Sequence, residues 1–190
     1  MTGSKNNNIL VVALEDEYQG ADLYCGIGEI CKQKLNEHIW QNRLGCNRKY
    51  KPNKVINYGT CGTFIPGIKG LHRITTFSNG VETRGDGIGL HLLTQHKFVT
   101  ETIPGYDLVD CEAFFLKQIC DANDIEFVCY KYVSDTVGDN SKEIWRQFVN
   151  SGEQAFREYK NRKMPRKGQK SNEIGRNFVN LEPDGSGEPV

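Results

Sequence analysis

The sequence lacks the features that mark membrane, secreted and metal-dependent proteins. No apolar run approaches the ~18 residues of a transmembrane helix, and the polar segment 1–8 has no apolar core of a signal peptide. Cys-x-x-Cys pairs are absent, and the histidines show no metal-ligand spacing such as His-x-x-x-His. The sequence therefore predicts a protein that stays in the cytoplasm, does not span a membrane and holds no metal.

An excess of charge of either sign is also absent. The 24 basic and 24 acidic side chains cancel, whereas proteins that bind nucleic acids or anionic membranes by long-range electrostatics carry basic surfaces. We therefore expect neither a nucleic acid nor a membrane among the partners of this protein.

Cysteine, by contrast, is plentiful. The count is odd, and several cysteines lie inside apolar strings, as Cys120 and Cys129 do. Cysteine often behaves as a small buried apolar residue, and a reducing compartment keeps its thiol unpaired. We expect reduced structural thiols at the seven cysteine positions, which are 25, 31, 46, 61, 111, 120 and 129.

Length and composition predict one folded domain followed by a polar tail. A chain of 190 residues supports one domain with a sizeable core and leaves little room for a second. After Lys163 the composition turns to Lys, Arg, Gly, Asn, Pro and Glu, which bury too little apolar surface to fold. The predicted domain covers residues 1–163, and residues 164–190 are predicted to form a disordered tail.

Apolar runs typical of buried strands alternate with stretches of helical periodicity. Residues 9–14 are continuously apolar, as expected for a strand buried on both faces. Other extended segments are predicted at 54–58, 71–77 and 126–133, a further apolar stretch lies at 88–94, and helices are predicted at 27–42, 113–120 and 141–160. This alternation predicts a three-layer α/β/α sandwich with a mixed, largely parallel central sheet.

Polar residues collect where the predicted strands end. Glu17 follows the first strand, and Thr60 lies in the Gly-Thr-Cys-Gly segment that is predicted to break the second. Ser134 and Asp135 follow a late strand, and Glu112 lies where a helix begins. Taken singly, the acidic segment after the first strand is typical of a solvated edge, and the Gly-Thr-Cys-Gly segment of a turn. Asp135 and Glu112 are each typical of a helix N-cap. Because such sheets bind ligands at the carboxyl ends of their strands, together they indicate a candidate site.

In their order along the chain, five segments resemble the successive motifs of the nucleoside phosphorylase/nucleosidase superfamily. They are most similar to those of the 5′-methylthioadenosine/S-adenosylhomocysteine nucleosidases, over residues 9 to about 150. The segments are Ala13-Leu14-Glu15-Asp16-Glu17, Gly26-Ile27-Gly28, Val55-Ile56-Asn57-Tyr58-Gly59-Thr60-Cys61-Gly62, Val109-Asp110-Cys111-Glu112 and Val133-Ser134-Asp135.

The resemblance implies a shortened form of that fold and a homodimer that needs no cofactor. It also implies an activity, the hydrolysis of the N-glycosidic bond of a purine nucleoside to free base and sugar. The family substrates are 5′-methylthioadenosine and S-adenosylhomocysteine. The chain is short between Gln19 and Asp22 and between Phe64 and Thr94, where relatives have longer segments. The 5′ substituent of its substrate therefore stays open.

Three carboxylates match the residues that carry this chemistry. By resemblance, Asp135 protonates N7 of the leaving purine and is oriented by Ser134. Glu112 accepts the ribose 2′ and 3′ hydroxyls, and Glu17 activates water with the Thr60 hydroxyl as its partner. Cleavage through an oxocarbenium-like sugar needs three groups: an acid that protonates the leaving purine, a partner that binds the sugar hydroxyls, and a group that activates the nucleophile.

The remaining predicted binding residues depart more from the family pattern. Phe98 and Val99 occupy the place where relatives stack an aromatic ring on the base and bind its edge, although Phe98 is equally typical of plain core. Cys111 replaces the methionine beneath the ribose, and Lys131 replaces an arginine that helps to fix the water. Lysine is a point charge without the planar fork of arginine.

Two alternative functions stay open. Phosphorylases of the superfamily carry an arginine at the position of Asn57, and they bring no acidic triplet to the first loop. Here the carboxylates of residues 15–17 repel a phosphate dianion, so hydrolysis is favoured over phosphorolysis. The second alternative is a non-catalytic nucleoside-binding protein.

Overall fold

The computed structural model describes residues 7–45 and 51–163, which form one sheet with helices on both faces. The strands are β1 (Asn8–Val12), β2 (Leu23–Tyr24), β3 (Lys54–Thr63), β4 (Gly70–Ile74), β5 (Thr76–Ser78), β6 (Thr83–Gly85), β7 (His91–Thr94), β8 (Leu108–Asp110) and β9 (Glu126–Thr136). The helices are α1 (Ile30–Gly45), α2 (Ala113–Ala122), α3 (Ser141–Phe148) and α4 (Glu153–Lys163).

The sheet is mixed and largely parallel, as predicted. Its main order is β2-β1-β3-β8-β7-β5-β6, and β9 pairs with both β3 and β4. Strands β1, β3 and β9 run parallel side by side, whereas β8 runs antiparallel to the end of β3 and β4 runs antiparallel to β9. The carboxyl ends of β1, β3 and β9 consequently point to the same edge of the sheet.

The central strands are buried on both faces because their apolar residues are continuous. Along β1, Ile9 and Val11 belong to the core on one face, and Leu10 and Val12 to the core on the other, since successive side chains of a strand point to opposite faces. Helices α1 and α2 cover the first face, and Phe156 of α4 packs on the second. The predicted three layers are confirmed.

Two of the predicted strand ends are wrong. Strand β3 does not break at Gly59 but runs to Thr63, because β9 pairs with it along its whole length, with a register shift between Cys61 and Gly62. Strand β9 runs to Thr136, so that Asp135 lies within the strand. The N-cap of α3 is Asn140. The helix-capping interpretation of Asp135 is therefore wrong as well.

Helix boundaries also differ from the periodic pattern. The helix predicted at 141–160 is two helices, α3 and α4, because the chain turns between them and Gly152 packs directly on the sheet. A Cβ atom there would lie 2.3 Å from Tyr132 Cγ and 2.5 Å from Tyr58 Oη. Helix α1 begins at Ile30 rather than at residue 27, after a turn in which Gly28 has a φ of +70°.

The cysteines in the described part of the chain are free thiols, as predicted, and all but Cys111 are buried. Cys46 and the predicted tail at 164–190 lie outside the described residues. Within residues 7–45 and 51–163, no helix is both long enough and apolar enough to cross a membrane.

Candidate active site

One pocket opens at the sheet edge where β1, β3 and β9 end. It contains about 620 Å³ of space, counting its open mouth. Seven of the nine residues predicted from the sequence line it: Glu17, Thr60, Phe98, Val99, Cys111, Glu112 and Asp135. The other two, Ser134 and Lys131, lie behind its wall and contact residues that line it.

Glu17 is held at the floor of the pocket by hydrogen bonds that it accepts. The loop after β1 turns back on itself, so that the Leu14 N–H donates to Glu17 Oε2 at 3.2 Å. The Thr60 N–H and the Thr60 hydroxyl donate to Glu17 Oε1 at 2.8 and 2.7 Å. Glu17 is only 3% exposed. Both carboxyl oxygens of Glu17 therefore accept hydrogen bonds from neighbouring groups.

Lys131 of β9 is fully buried between two carboxylates. Its Nζ lies 2.8 Å from Asp110 Oδ2 and donates to Glu112 Oε1. Burial alone lowers the pKa of a lysine, but the charges of Asp110 and Glu112 prevail and raise the pKa of Lys131 well above its usual value. We infer that Lys131 stays charged and that its ammonium group is paired with these two carboxylates.

The pKa of Glu112 is raised, although the Lys131 ammonium lies beside it. Burial, followed by the charges of Asp110 and Glu17, raises the pKa of Glu112, and the Lys131 ammonium only partly opposes these effects. Three acidic side chains thus lie around one buried cation. Acidic groups that outnumber their cation favour a ligand that carries or develops positive charge.

Asp110 was assigned no role from the sequence, yet it organises this region. Its Oδ2 accepts the Ala113 N–H at 3.0 Å, and its Oδ1 accepts the Thr94 hydroxyl at 2.6 Å. Thr94 Oγ1 in turn accepts the Phe114 N–H at 3.0 Å. These bonds satisfy the first N–H groups of α2 and fix the segment that carries Glu112. An Asp side chain near a helix start typically accepts the N–H two or three residues further along the chain. The spacing from Asp110 to Ala113 is therefore the signal that could have indicated this role from the sequence.

Gly59 allows the charged groups to meet. A Cβ atom at this position would lie 3.0 Å from Glu112 Oε1, 3.1 Å from Lys131 Nζ and 3.3 Å from Glu17 Oε1. Any larger residue would have to displace side chains that are paired and buried. The glycine that was interpreted as a strand breaker is therefore better explained by the space that these side chains need.

Asp135 lies on the opposite wall. Its Oδ1 accepts the Ser134 hydroxyl at 2.7 Å, and the same hydroxyl lies 3.2 Å from the Cys61 carbonyl oxygen. Burial raises the pKa of Asp135, and hydrogen bonds from Ser134 and Ser141 oppose the rise. Asp135 thus keeps its proton to higher pH than an ordinary aspartate, as a general acid requires.

Aromatic and apolar groups form the rest of the wall. Phe98 contacts Trp145 of α3 edge to face, with ring centroids 5.4 Å apart. Val99 packs on the small core around Phe64 and Val109. Burial raises the pKa of the Cys111 thiol, which therefore stays neutral. The sequence pattern places Trp145 on the apolar face of the helix predicted at 141–160, and nothing local indicates that it reaches the site.

The acidic side chains at the pocket already have protein partners. In the part of the chain that the structure describes, no group of three or more His, Cys, Asp or Glu side chains could hold a metal ion. The acidic groups at the pocket are instead occupied by Lys131, by hydroxyls and by backbone N–H groups. What the pocket offers is a buried acceptor at Glu17, a carboxyl group with a raised pKa at Asp135 and acidic groups that outnumber their buried cation.

Replacing Lys131 by Met should destabilise the protein by about 3–5 kcal/mol, because it leaves buried carboxylates without their cation. The pKa of Glu112 should rise further in this variant. A carboxyl group whose folded pKa exceeds its unfolded pKa contributes stability at low pH and loses it as pH rises. The deficit should therefore be larger at mildly alkaline than at mildly acidic pH, as measured by urea unfolding.

The matched control for this prediction is Lys54→Met on the neighbouring strand. Lys54 forms a partly exposed pair with Glu126 at 2.9 Å, and such pairs contribute about 0–1 kcal/mol. Equal and pH-independent losses in the two variants would show that Lys131 does not hold the buried carboxylates together.

No protein-family model matches the sequence, and the search of curated proteins finds no match. The fold, however, is similar to those of solved nucleosidases. A 5′-methylthioadenosine/S-adenosylhomocysteine nucleosidase from Colwellia psychrerythraea in complex with adenine has a TM-score of 0.59 and 15% identity, over 76% of this chain and 88% of that one. The S-adenosylhomocysteine nucleosidase of Streptococcus pyogenes with 5-methylthiotubericidin has a TM-score of 0.61 and 12% identity, over 80% and 93% of the two chains.

A mutant of the Helicobacter pylori nucleosidase with 5′-methylthioadenosine in its active site is similar at a TM-score of 0.60 and 11% identity, over 78% of this chain and 93% of that one. The three similarities lie in the arrangement of strands and helices rather than in the sequence. They cover most of the length of each solved chain. The protein therefore has the fold of the 5′-methylthioadenosine/S-adenosylhomocysteine nucleosidases.

Proposed function

We propose that this protein hydrolyses the N-glycosidic bond of an adenine-type purine nucleoside, such as 5′-methylthioadenosine or S-adenosylhomocysteine, to free base and sugar. The observation that carries the proposal is the convergence of Glu17, Glu112 and Asp135 on one pocket, in a fold shared with nucleosidases. Solved proteins of this fold contain adenine or nucleoside analogues, which supports a purine nucleoside as the ligand.

Asp135 serves as the acid in this reaction. A purine anion is a poor leaving group, so the base must gain a proton as the bond to the sugar breaks. The raised pKa of Asp135 keeps that proton available, and Ser134 holds the carboxyl group in place at 2.7 Å. General acid catalysis of this kind contributes roughly 10²–10⁴-fold to a rate.

Glu112 serves as the partner of the sugar. Its Oε1 is bonded to Lys131, which leaves Oε2 to accept the ribose hydroxyls. As the glycosidic bond breaks, positive charge develops on the sugar ring. The negative charge that Glu112, Asp110 and Glu17 share with a single lysine stabilises that charge, because the groups are already oriented before the reaction.

Water rather than phosphate is the proposed nucleophile. A phosphate dianion needs several positive donors, whereas Lys131 is already paired with Asp110 and Glu112. The Asn57 side chain lies in the core, where its Nδ2 donates to the Val11 carbonyl oxygen at 3.3 Å. Glu17 is a buried acceptor on the pocket floor, and water needs such a group to remove its proton.

The test is incubation with a panel of adenine and hypoxanthine nucleosides, with and without phosphate, followed by chromatography of base and sugar. Free base and free pentose without phosphate support hydrolysis. Base release that requires phosphate indicates a phosphorylase instead. Tight binding without base release indicates a nucleoside-binding protein. If the protein neither binds nor cleaves any nucleoside of the panel, the proposal is wrong.

Replacing Glu112 by Gln should weaken the binding of ribonucleosides far more than that of 2′,3′-dideoxy analogues. The lost interactions are charge-assisted hydrogen bonds to sugar hydroxyls, each of about 1.5–3 kcal/mol. Isothermal titration with paired analogues measures the difference. Glu29→Gln, at an exposed carboxylate that pairs with Lys32, is the control. Equal losses for both kinds of analogue would place Glu112 away from the ribose.

The homodimer and the cytoplasmic location that the family resemblance implies remain predictions. Sedimentation equilibrium tests the first, and fractionation of cells that express the tagged chain tests the second. No cofactor is expected in the reaction, because hydrolysis with an acid, a base and a sugar carboxylate needs none. Full activity of protein that has been dialysed against a chelator would agree with this expectation.

A further inference from the structure

Trp145 connects helix α3 to the residues around Glu17. It lines the pocket, and its indole Nε1–H donates to Thr60 Oγ1 at 2.8 Å. Thr60 lies 85 residues earlier in the chain, on β3. The same Thr60 oxygen lies 2.7 Å from Glu17 Oε1. The three side chains thus form one continuous chain of hydrogen bonds from the helix to the carboxylate.

The chemistry of these groups fixes the direction of that chain. An indole N–H is only a donor, and a hydroxyl has a single hydrogen. Because Trp145 occupies one acceptor site of Thr60 Oγ1, the hydroxyl hydrogen is left for Glu17. The Thr60 N–H donates to the same carboxylate oxygen at 2.8 Å. Without the indole N–H, the Thr60 hydroxyl could rotate and donate to water in the pocket.

Helix α3 holds the indole firmly in this position. Phe98 contacts the Trp145 ring edge to face at 5.4 Å. One helical turn earlier, Ser141 lines the same pocket, and its hydrogen bond lowers the pKa of Asp135 against the effect of burial. Residues four apart lie on the same face of a helix. One face of α3 therefore contacts Asp135 through Ser141 and the hydrogen-bond partner of Glu17, Thr60, through Trp145.

We propose that Trp145 is a positioning residue, whose indole N–H orients the Thr60 hydroxyl toward Glu17 and so keeps Glu17 ready to accept a proton from water. This role rests on the proposed function, in which Glu17 is the base. Trp145 acts through Thr60 and donates nothing to the reacting atoms. A tryptophan is required for this role, because no other aromatic side chain of similar size carries a ring N–H at that reach.

Trp145→Phe keeps an aromatic ring against Phe98 and removes the donor. We expect kcat to fall about tenfold, the effect of one lost hydrogen bond in the transition state, while KM changes less than about threefold. The matched control is Trp40→Phe on α1, where the half-exposed tryptophan lies outside the pocket wall. An unchanged kcat, or a loss seen only in KM, would overturn the positioning role.

A double-mutant cycle separates this role from general damage to the pocket. If Trp145 acts through Thr60, Trp145→Phe should cause no further loss of kcat in a Thr60→Val background, because residues in one hydrogen-bond network are not additive. The same tenfold loss in both backgrounds would mean that Trp145 acts independently of Thr60, and the proposal would be wrong.

A spectroscopic measurement distinguishes failure of this proposal from failure of the proposed function. The indole ¹H–¹⁵N resonance of Trp145, identified by its loss in Trp145→Phe, should be protected from hydrogen exchange and should lose that protection in Thr60→Val. If the wild-type protein turns over no nucleoside but the resonance behaves in this way, the proposed function fails and the orientation of Thr60 stands. A resonance that does not respond to Thr60→Val overturns the inference, whatever the activity.

Discussion

Replacing Asp135 by Asn should reduce the release of purine base by roughly 10²–10⁴-fold, the usual contribution of a general acid, while nucleoside binding stays measurable. The amide has nearly the shape of the carboxyl group and can still accept a hydrogen bond from Ser134, whose hydroxyl lies 2.7 Å from Asp135 Oδ1. It has no acidic proton to deliver to the leaving base. Release of adenine followed by coupled absorbance, together with titration calorimetry, separates the two effects.

The pH dependence of this reaction gives an independent check. Burial raises the pKa of Asp135, and the acid works only in its protonated form. Turnover should therefore fall as the pH rises through that pKa, and Asp135→Asn should lose this limb of the profile. The control is Asp139→Asn at an exposed position nearby. Turnover near the wild-type rate in Asp135→Asn would remove Asp135 from the mechanism.

The sequence was sufficient to predict the layers of the fold because the decisive patterns are local. The continuous apolar run of β1 identifies a strand buried on both faces. The alternation of strands and helices then implies a parallel sheet and places Glu17, Thr60, Glu112 and Asp135 near one edge. The pocket is lined by all four of these residues, because topology brings strand ends together whatever the sequence between them.

Long-range contacts explain most of what the sequence could not indicate. The pattern around Gly59 is that of a turn, but pairing with β9 carries β3 through it, and the glycine leaves room for Glu112 and Lys131. Periodicity joined α3 and α4 because it cannot detect that Gly152 packs on Tyr132. A helix-facing tryptophan is typical of a core, and only the three-dimensional fold brings Trp145 to Thr60.

The contacts of Lys131 show why a sequence motif alone could not give the full role of a residue at the pocket. Lys131 matches a position at which relatives fix water, but here it is fully buried against Asp110 and Glu112. Whether it also contacts water stays a prediction. Its observed contacts support a different contribution, which is to hold Glu112, the carboxylate that we propose to bind the sugar, in place. A sequence motif identifies a residue type at a position, whereas the partners of that residue come from other elements.

Replacing Glu17 by Gln should lower turnover by roughly 10²–10⁴-fold, the contribution of a general base, and leave the binding of a substrate analogue nearly intact. Glu112 and Asp135 remain in place, so the sugar and the base keep their partners. The amide cannot take a proton from water, and its NH₂ group must face either the Leu14 N–H or the Thr60 donors, each of which a carboxyl oxygen accepts in the wild type. Glu15→Gln in the same loop is the matched control, since Glu15 is exposed and does not line the pocket.

The sugar product identifies the nucleophile in the same experiment. If Glu17 activates water, wild-type protein should yield free pentose, even in excess phosphate. Lys131 is paired with Asp110 and Glu112. This leaves Lys97 on the pocket wall, and a single lysine offers no bidentate grip on phosphate. Pentose 1-phosphate, or a rate that climbs with phosphate concentration, would overturn the hydrolytic assignment and support phosphorolysis.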